Sequence, residues 1–255
     1  MSTIEAPAPD AFAGIDGVRS DRGKDPSLPN LKPVAAASMI VVDRTGKEPR
    51  VLMGRRNESH VFMPGRYVFP GGRVEASDRM MNVAGALHEF IEMRLMRQVS
   101  RPSAMRPRML ALAAIRETFE ETGLLIGSRD YGTPESAPPG TWSTYASHGV
   151  YPELDRLHLI ARAITPPRRN KRFDTAFFAV ESDAIVDRVE GVVGPDSELV
   201  ELVWLPLSKA AKLDMPLITR AILAELASRL DAGMSPMRPV PLFRDRGGAW
   251  KREEL

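Results

Sequence analysis

The chain has 255 residues, 43% hydrophobic and 27% charged, with 35 basic against 33 acidic side chains and a formal net charge of +2. That length allows a sizeable core in one large domain or two small ones, and the charge balance gives no global field for nucleic acid. With no cysteine, disulfides, thiol catalysis and thiolate metal sites are excluded, and no apolar run approaches the roughly 18 residues of a membrane span. The N-terminus lacks an apolar signal core, so a cytoplasmic protein with neither a nucleic-acid nor a membrane partner is the expectation.

Residues 1–35 are rich in Pro, Gly, Ser and charge and read as a flexible N-terminal arm, either mobile or lying along the surface. "ASMIVVDR" and "PRVLMGRRN" predict two strands joined by the turn-like "TGKE", and "YVFPGGRV" a strand fragment with a Pro-Gly-Gly turn. Residues 83–98 place Leu87, Ile91 and Leu95 at helical spacing, after which Pro102 and Pro107 are expected to break the chain. "MLALAAIRETFEETG" predicts a second helix ended by Gly123. "RLHLIARAI", "DTAFFAVE" and "ELVELVWLP" predict further strands. Ile218, Ile222, Leu226 and Leu230 form one helical stripe ending at Gly233, and residues 233–255 read as a Pro- and Arg-rich tail. Irregular alternation of strands and helices favours a mixed α/β sandwich over a regular doubly wound sheet.

The second helix gathers Glu117, Glu120 and Glu121 on a direction nearly opposite to Leu112, Ile115 and Phe119. Like charges at this spacing repel, and two of them sit where the helix dipole disfavours negative charge. A solvated acidic face usually interleaves lysine, yet residues 117–125 contain neither lysine nor arginine. Oxygen-only ligands suit a hard cation, Mg²⁺ or Mn²⁺, which turns the repulsion into attraction. Arg116, next in the chain, can pair with one carboxylate and hold its rotamer.

"RETFEETGL" resembles the second half of the Nudix hydrolase signature, matched by Arg116, Glu117, Glu120, Glu121, Gly123 and Leu124, with Thr118 at an apolar position. "GRVEASD", from Gly72 to Asp78, is similar to the first half, with aspartate for the final glutamate. Residues 79–115 separate the halves, a far longer spacer than is usual in the family. An interrupted box of this kind, with "FMPGRYVFPGG" before it and "RFDTAFF" after it, resembles a branch that includes coenzyme A diphosphatases. Of a broader coenzyme A signature the chain keeps Leu52, Arg56, Gly65, Phe69, Pro70, Gly71 and Gly72, and departs at Met53, Gly54, Asn57 and Val61.

The resemblance implies a Nudix-type α/β/α sandwich with a mixed sheet over residues 36–232, carrying a helical insertion at 79–108. It implies hydrolysis of a pyrophosphate bond in a nucleoside diphosphate linked to another moiety, coenzyme A or an acyl derivative being one candidate. ADP-ribose and dinucleoside polyphosphates are alternatives, as is a Nudix-fold module that binds a nucleotide as a regulator without cleaving it. Glu117, Glu121 and Glu120, with the Gly72 carbonyl, are the expected Mg²⁺ or Mn²⁺ ligands, and Arg116 the residue that orients them. Glu120, Glu198 and Glu201 are candidate proton acceptors, the last two with exposed strand positions as the plain alternative. Arg56, Arg168 and Arg172 are candidate substrate-phosphate contacts, and Asp174 a partner for Arg172 or for the metal site. The insertion, with six arginines, two glutamates and five methionines, is expected to line an acyl or pantetheine pocket, form a homodimer interface, or pack as a plain helix. His60, His88, His148 and His158 show no metal-ligand spacing.

Overall fold

Strict alternation along the first long strand, β1 (Val34–Asp43), sets up two packed faces. Ala37, Met39 and Val41 are buried in one hydrophobic cluster and Ile40 and Val42 in another, on opposite sides of the sheet. The computed structural model describes residues 14–20, 24–59, 64–210 and 212–255.

After β1 come β2 (Arg50–Arg56), β3 (Tyr67–Val68) and β4 (Gly71–Arg73), then the helices α1 (Glu89–Met96) and α2 (Met105–Thr122). β5 (Leu124–Ile126), α3 (Thr141–Ser147), β6 (His158–Ile164), β7 (Phe173–Glu181) and β8 (Ile185–Arg188) follow. The chain ends with β9 (Leu199–Pro206), α4 (Leu207–Ala210), α5 (Leu217–Asp231), β10 (Pro241–Arg246) and β11 (Ala249–Glu254). Among the described residues, one mixed sheet runs in the order β11-β10-β6-β7-β1-β2-β3, with β4 beside β1 and β9 beside β2. β1 pairs in parallel with β7, and β6 with β10, while the other pairings in this sheet are antiparallel. β5 and β8 form a separate two-stranded ribbon. Buried residues of α1, α2 and α3 cover one face, and those of α4 and α5 cover the other, giving the expected α/β/α sandwich. No described helix is long and apolar enough to cross a membrane.

Several elements depart from the sequence expectation. Leu87, Ile91 and Leu95 are buried as their spacing predicts, but α1 begins only after His88, whose ring accepts a hydrogen bond from the Phe90 N–H. Pro107 does not break the chain, because it falls in the first turn of α2, where its missing N–H has no helical partner to lose. The segment 233–255 is no free tail: β10 and β11 extend the sheet, and Leu242 and Phe243 are buried. Residues 14–20 of the arm lie along that hairpin, with Gly17 N–H donating to Trp250 O at 2.8 Å and Trp250 N–H to Val18 O at 2.9 Å. Residues 1–13 and 21–23 of the arm lie outside the described residues. Within the insertion, α1 is tied to the body by Arg94, which donates to the Pro236 and Met237 carbonyls, while Arg108 donates to the Met81 carbonyl inside the insertion itself.

Candidate metal-binding site

Two of the three glutamates of α2, Glu117 and Glu121, are turned toward the interior. The helix is buried nearly all round, including Thr118, whose hydroxyl donates to the Ala114 carbonyl at 2.7 Å and so satisfies a polar group at an apolar position. α2 ends at Gly123, whose φ of 76° is left-handed and where a Cβ would meet the Val189 carbonyl at 2.2 Å. Glu121 is 7% exposed and Glu117 half-buried, leaving only Glu120 open to solvent.

What Glu117 and Glu121 face is the β4 backbone. β4 pairs with β1, Gly72 opposite Ala37 and Gly71 opposite Ser38. The Gly71 N–H donates to Glu121 Oε2 at 3.2 Å. A Cβ on Gly72 would lie 2.3 Å from the Glu117 carboxylate, so any larger residue here would push that carboxylate aside.

Arg116 organises the cluster from beneath. Its Nε and Nη2 donate to the two oxygens of Asp78 at 2.8 and 3.1 Å, and Nη2 also to the Arg73 carbonyl at 2.7 Å. Nη1 donates to Glu117 Oε1 and Glu120 Oε2, both at 2.9 Å. All five guanidinium N–H groups are thereby used. Arg116 is 2% exposed and Asp78 0%. Burial works against the charge on Arg116, but the hydrogen bonds and charge of Asp78, with Glu117 and Glu120, outweigh it and hold the guanidinium protonated well above its ordinary range.

The glutamates are strained electrostatically. Burial pushes Glu117 up to about 7, Arg116 pulling against it and the charges of Glu120 and Glu198 adding to it. Burial also pushes Glu121 well above its ordinary range, with Glu198 and Glu117 as repelling neighbours, while the Gly71 N–H and the Arg56 charge oppose the rise. Among the described residues, no three His, Asp or Glu groups converge closely enough to hold an ion as they stand. Arg116 lies between Glu117 and Glu120, and Gly71 holds Glu121, so the carboxylates rest on the chain's own donors.

The structure separates the remaining candidates. Glu198, just before β9, pairs with Arg56 Nη1 at 2.8 Å, and its charge reaches both Glu117 and Glu121. Glu201, on β9, lies opposite Arg55 of β2 and pairs with its Nε at 3.0 Å across the strands. Arg168 donates to the Pro26 carbonyl and Arg172 to Asn30 Oδ1 and the Leu31 and Thr165 carbonyls, so both tie down the segment before β1. Asp174 pairs with Arg162 at 2.6 Å and Arg106 at 2.9 Å, not with Arg172 or the glutamates. His88 caps α1 and His148 pairs with Asp187 at 2.9 Å, while His60 and Val61 lie outside the described residues. Two residues of the site were not singled out from sequence. Asp78 was noted only as the end of a motif, and Thr141, whose hydroxyl donates to Glu120 Oε1, carries no sequence signal at all.

The mixed sheet with helices on both faces matches the fold of Nudix structures. No family profile matches the chain. The chain is 28% identical over 180 residues to the Caenorhabditis elegans protein named "Putative nudix hydrolase 7", an alignment covering 67% of this chain and 50% of the relative. It thus spans about half the length of that curated relative. A crystal structure of a Nudix hydrolase from Alicyclobacillus acidocaldarius superposes with a TM-score of 0.56 at 28% identity, over 77% of this chain and 92% of that one. These likenesses and the fold support the Nudix hydrolase superfamily for this chain.

Proposed function

We propose that this chain hydrolyses the pyrophosphate bond of a nucleoside diphosphate linked to another moiety, with Mg²⁺ or Mn²⁺ held at the glutamate face of α2. The observation that carries this reading is the burial of Glu117 and Glu121, one turn apart, against the Gly71–Gly72 backbone. Two buried like charges cost more than one backbone N–H and one shared guanidinium return, and a cation with oxygen ligands removes that cost. The donors match such an ion in chemical kind: they are all oxygen, and the bare Gly72 leaves its backbone beside Glu117. Glu117 and Glu121, with the Gly72 carbonyl and Glu120, would hold it. Once bound it supplies neutralisation of phosphate charge and polarisation of a water.

The chain's own residues supply the positioning. Arg116, locked by Asp78, fixes the rotamers of Glu117 and Glu120. Arg56, part-buried and paired with Glu198, is our candidate contact for a substrate phosphate. Both Glu198 and Glu201 are paired with an arginine, and as proton acceptor Glu198 is favoured because its charge reaches both buried glutamates. Glu198 pairs with Arg56 through Oε1, and in this role its carboxylate would take a proton from water.

Coenzyme A or an acyl derivative is our candidate substrate, supported by the interrupted box and "FMPGRYVFPGG". The insertion adds little support, since Arg94, Arg106 and Arg108 are engaged by carbonyls and Asp174. The test is kcat/KM on coenzyme A, dephospho-coenzyme A, ADP-ribose, NADH and a dinucleoside polyphosphate, with Mg²⁺ or Mn²⁺ and products read by mass. A tenfold preference for coenzyme A, about 1.4 kcal/mol of differential transition-state binding, supports the candidate. Equal or better turnover of ADP-ribose removes it and leaves the diphosphatase reading standing. Glu121→Gln should fold and lose on the order of 100-fold in rate, as when one transition-state stabiliser is removed. A folded E121Q enzyme at wild-type rate, or no turnover of any pyrophosphate, overturns the reading.

A further inference from the structure

Glu120 is the exposed member of the cluster, yet both of its oxygens are held by the chain. Oε2 accepts from Arg116 Nη1 at 2.9 Å, and Oε1 accepts from the Thr141 hydroxyl. A hydroxyl bonded to a charged carboxylate is among the stronger neutral-to-ion contacts. Thr141 is also unusually well fixed for a surface residue. It opens α3, directly after Gly140, whose φ of 87° turns the chain into the helix. The next residue, Trp142, is fully buried, as is Tyr145, and the two rings meet edge to face at 5.2 Å. Tyr145 meets Phe119 edge to face at 5.8 Å and accepts a hydrogen bond from the Ile126 N–H at 3.2 Å. Phe119 precedes Glu120 in α2, so one aromatic cluster sets both the carboxylate and the hydroxyl that holds it.

We infer that Thr141 is a positioning residue for the carboxylate cluster: its hydroxyl keeps the Glu120 carboxylate turned so that Arg116 engages one of its oxygens and remains shared with Glu117. Without the hydroxyl, Glu120 is free to rotate onto Arg116 with both oxygens or out to water. Either movement alters the guanidinium that orients Glu117, and so the oxygen set available to a cation. This rests on the reading that the glutamate face holds a divalent cation.

Mn²⁺ binding to the substrate-free protein, followed by electron paramagnetic resonance, tests it in wild type, T141V and T141S, with kcat and KM measured alongside. We expect T141V to weaken Mn²⁺ about fivefold or more and to lower kcat with KM within twofold, and T141S to restore binding to within twofold of wild type. Equal Mn²⁺ affinity in wild type and T141V overturns the inference. So does an equal loss in T141V and T141S, which marks a packing defect, and so does absence of Mn²⁺ binding by the wild type. A wild type that binds Mn²⁺ but cleaves no pyrophosphate defeats the functional reading alone, and the Mn²⁺ comparison still decides the role of Thr141.

Discussion

Replacing Asp78 by asparagine should destabilise the fold without emptying the glutamate face. Asp78 is fully buried, takes two hydrogen bonds from Arg116 and a third from the Glu75 N–H at 2.8 Å. Asparagine keeps the shape but offers one acceptor and no charge, leaving a buried guanidinium short of its closest anion. Breaking one side of a buried pair costs roughly 3–5 kcal/mol. Glu117, Glu120 and the Arg73 carbonyl remain on Arg116, so the lower end, about 3 kcal/mol, is expected. For a chain of this size that is a fall in Tm of roughly 6–12 °C. Calorimetry and urea unfolding, both with chelator so that cation binding does not enter, measure it. Arg116→Met alone should be comparably costly because it strands Asp78. The double variant D78L/R116M should cost less than the sum of the two single losses, because neither charge is then left alone. A D78N protein melting within 2 °C of wild type, or a strictly additive cycle, refutes the claim that this pair holds the site together.

The raised carboxylates make stability depend on pH in a definite direction. Glu117 titrates near 7 when folded and near 4.5 when unfolded, so the folded chain keeps its proton longer, and the stability this contributes is lost as pH rises from about 4.5 through 7. Glu121, also raised, adds to this loss in the same direction. With chelator, Tm should therefore fall between pH 5 and 8, and millimolar Mg²⁺ or Mn²⁺ should recover most of the fall at pH 8 by binding the folded form. A Tm rising with pH across this window, or indifferent to either cation at pH 8, contradicts the assignment. Phe243→Ala removes a buried ring from β10 and should cost about 3–5 kcal/mol in urea unfolding, whereas a loss below about 1 kcal/mol would mean the C-terminal hairpin is dispensable.

The strands β1, β2, β6, β7 and β9 and the helices α2 and α5 were legible because each carries its own hydrophobic period over many residues. The glutamate face was legible for a similar reason: three carboxylates within five positions, without interleaved lysine, are a local anomaly. Burial was less so, since the angular reading gave that face to a site but not to the interior. Only the tertiary structure decided where the charges find their partners. Asp78 meets Arg116 from 38 residues away, and Thr141 meets Glu120 from 21. Arg168 and Arg172, read as phosphate contacts, turn instead to a segment more than 140 residues earlier. The C-terminal hairpin was hidden by composition, because Arg244 and Arg246 pair with Glu253 and its buried apolar residues are few, Val240, Leu242 and Phe243 in one short run and Leu255 at the end. Periodicity is a property of neighbouring residues and is written in the chain. The valence of a buried guanidinium or carboxylate is met by whatever chain closure brings beside it, and no local pattern specifies that.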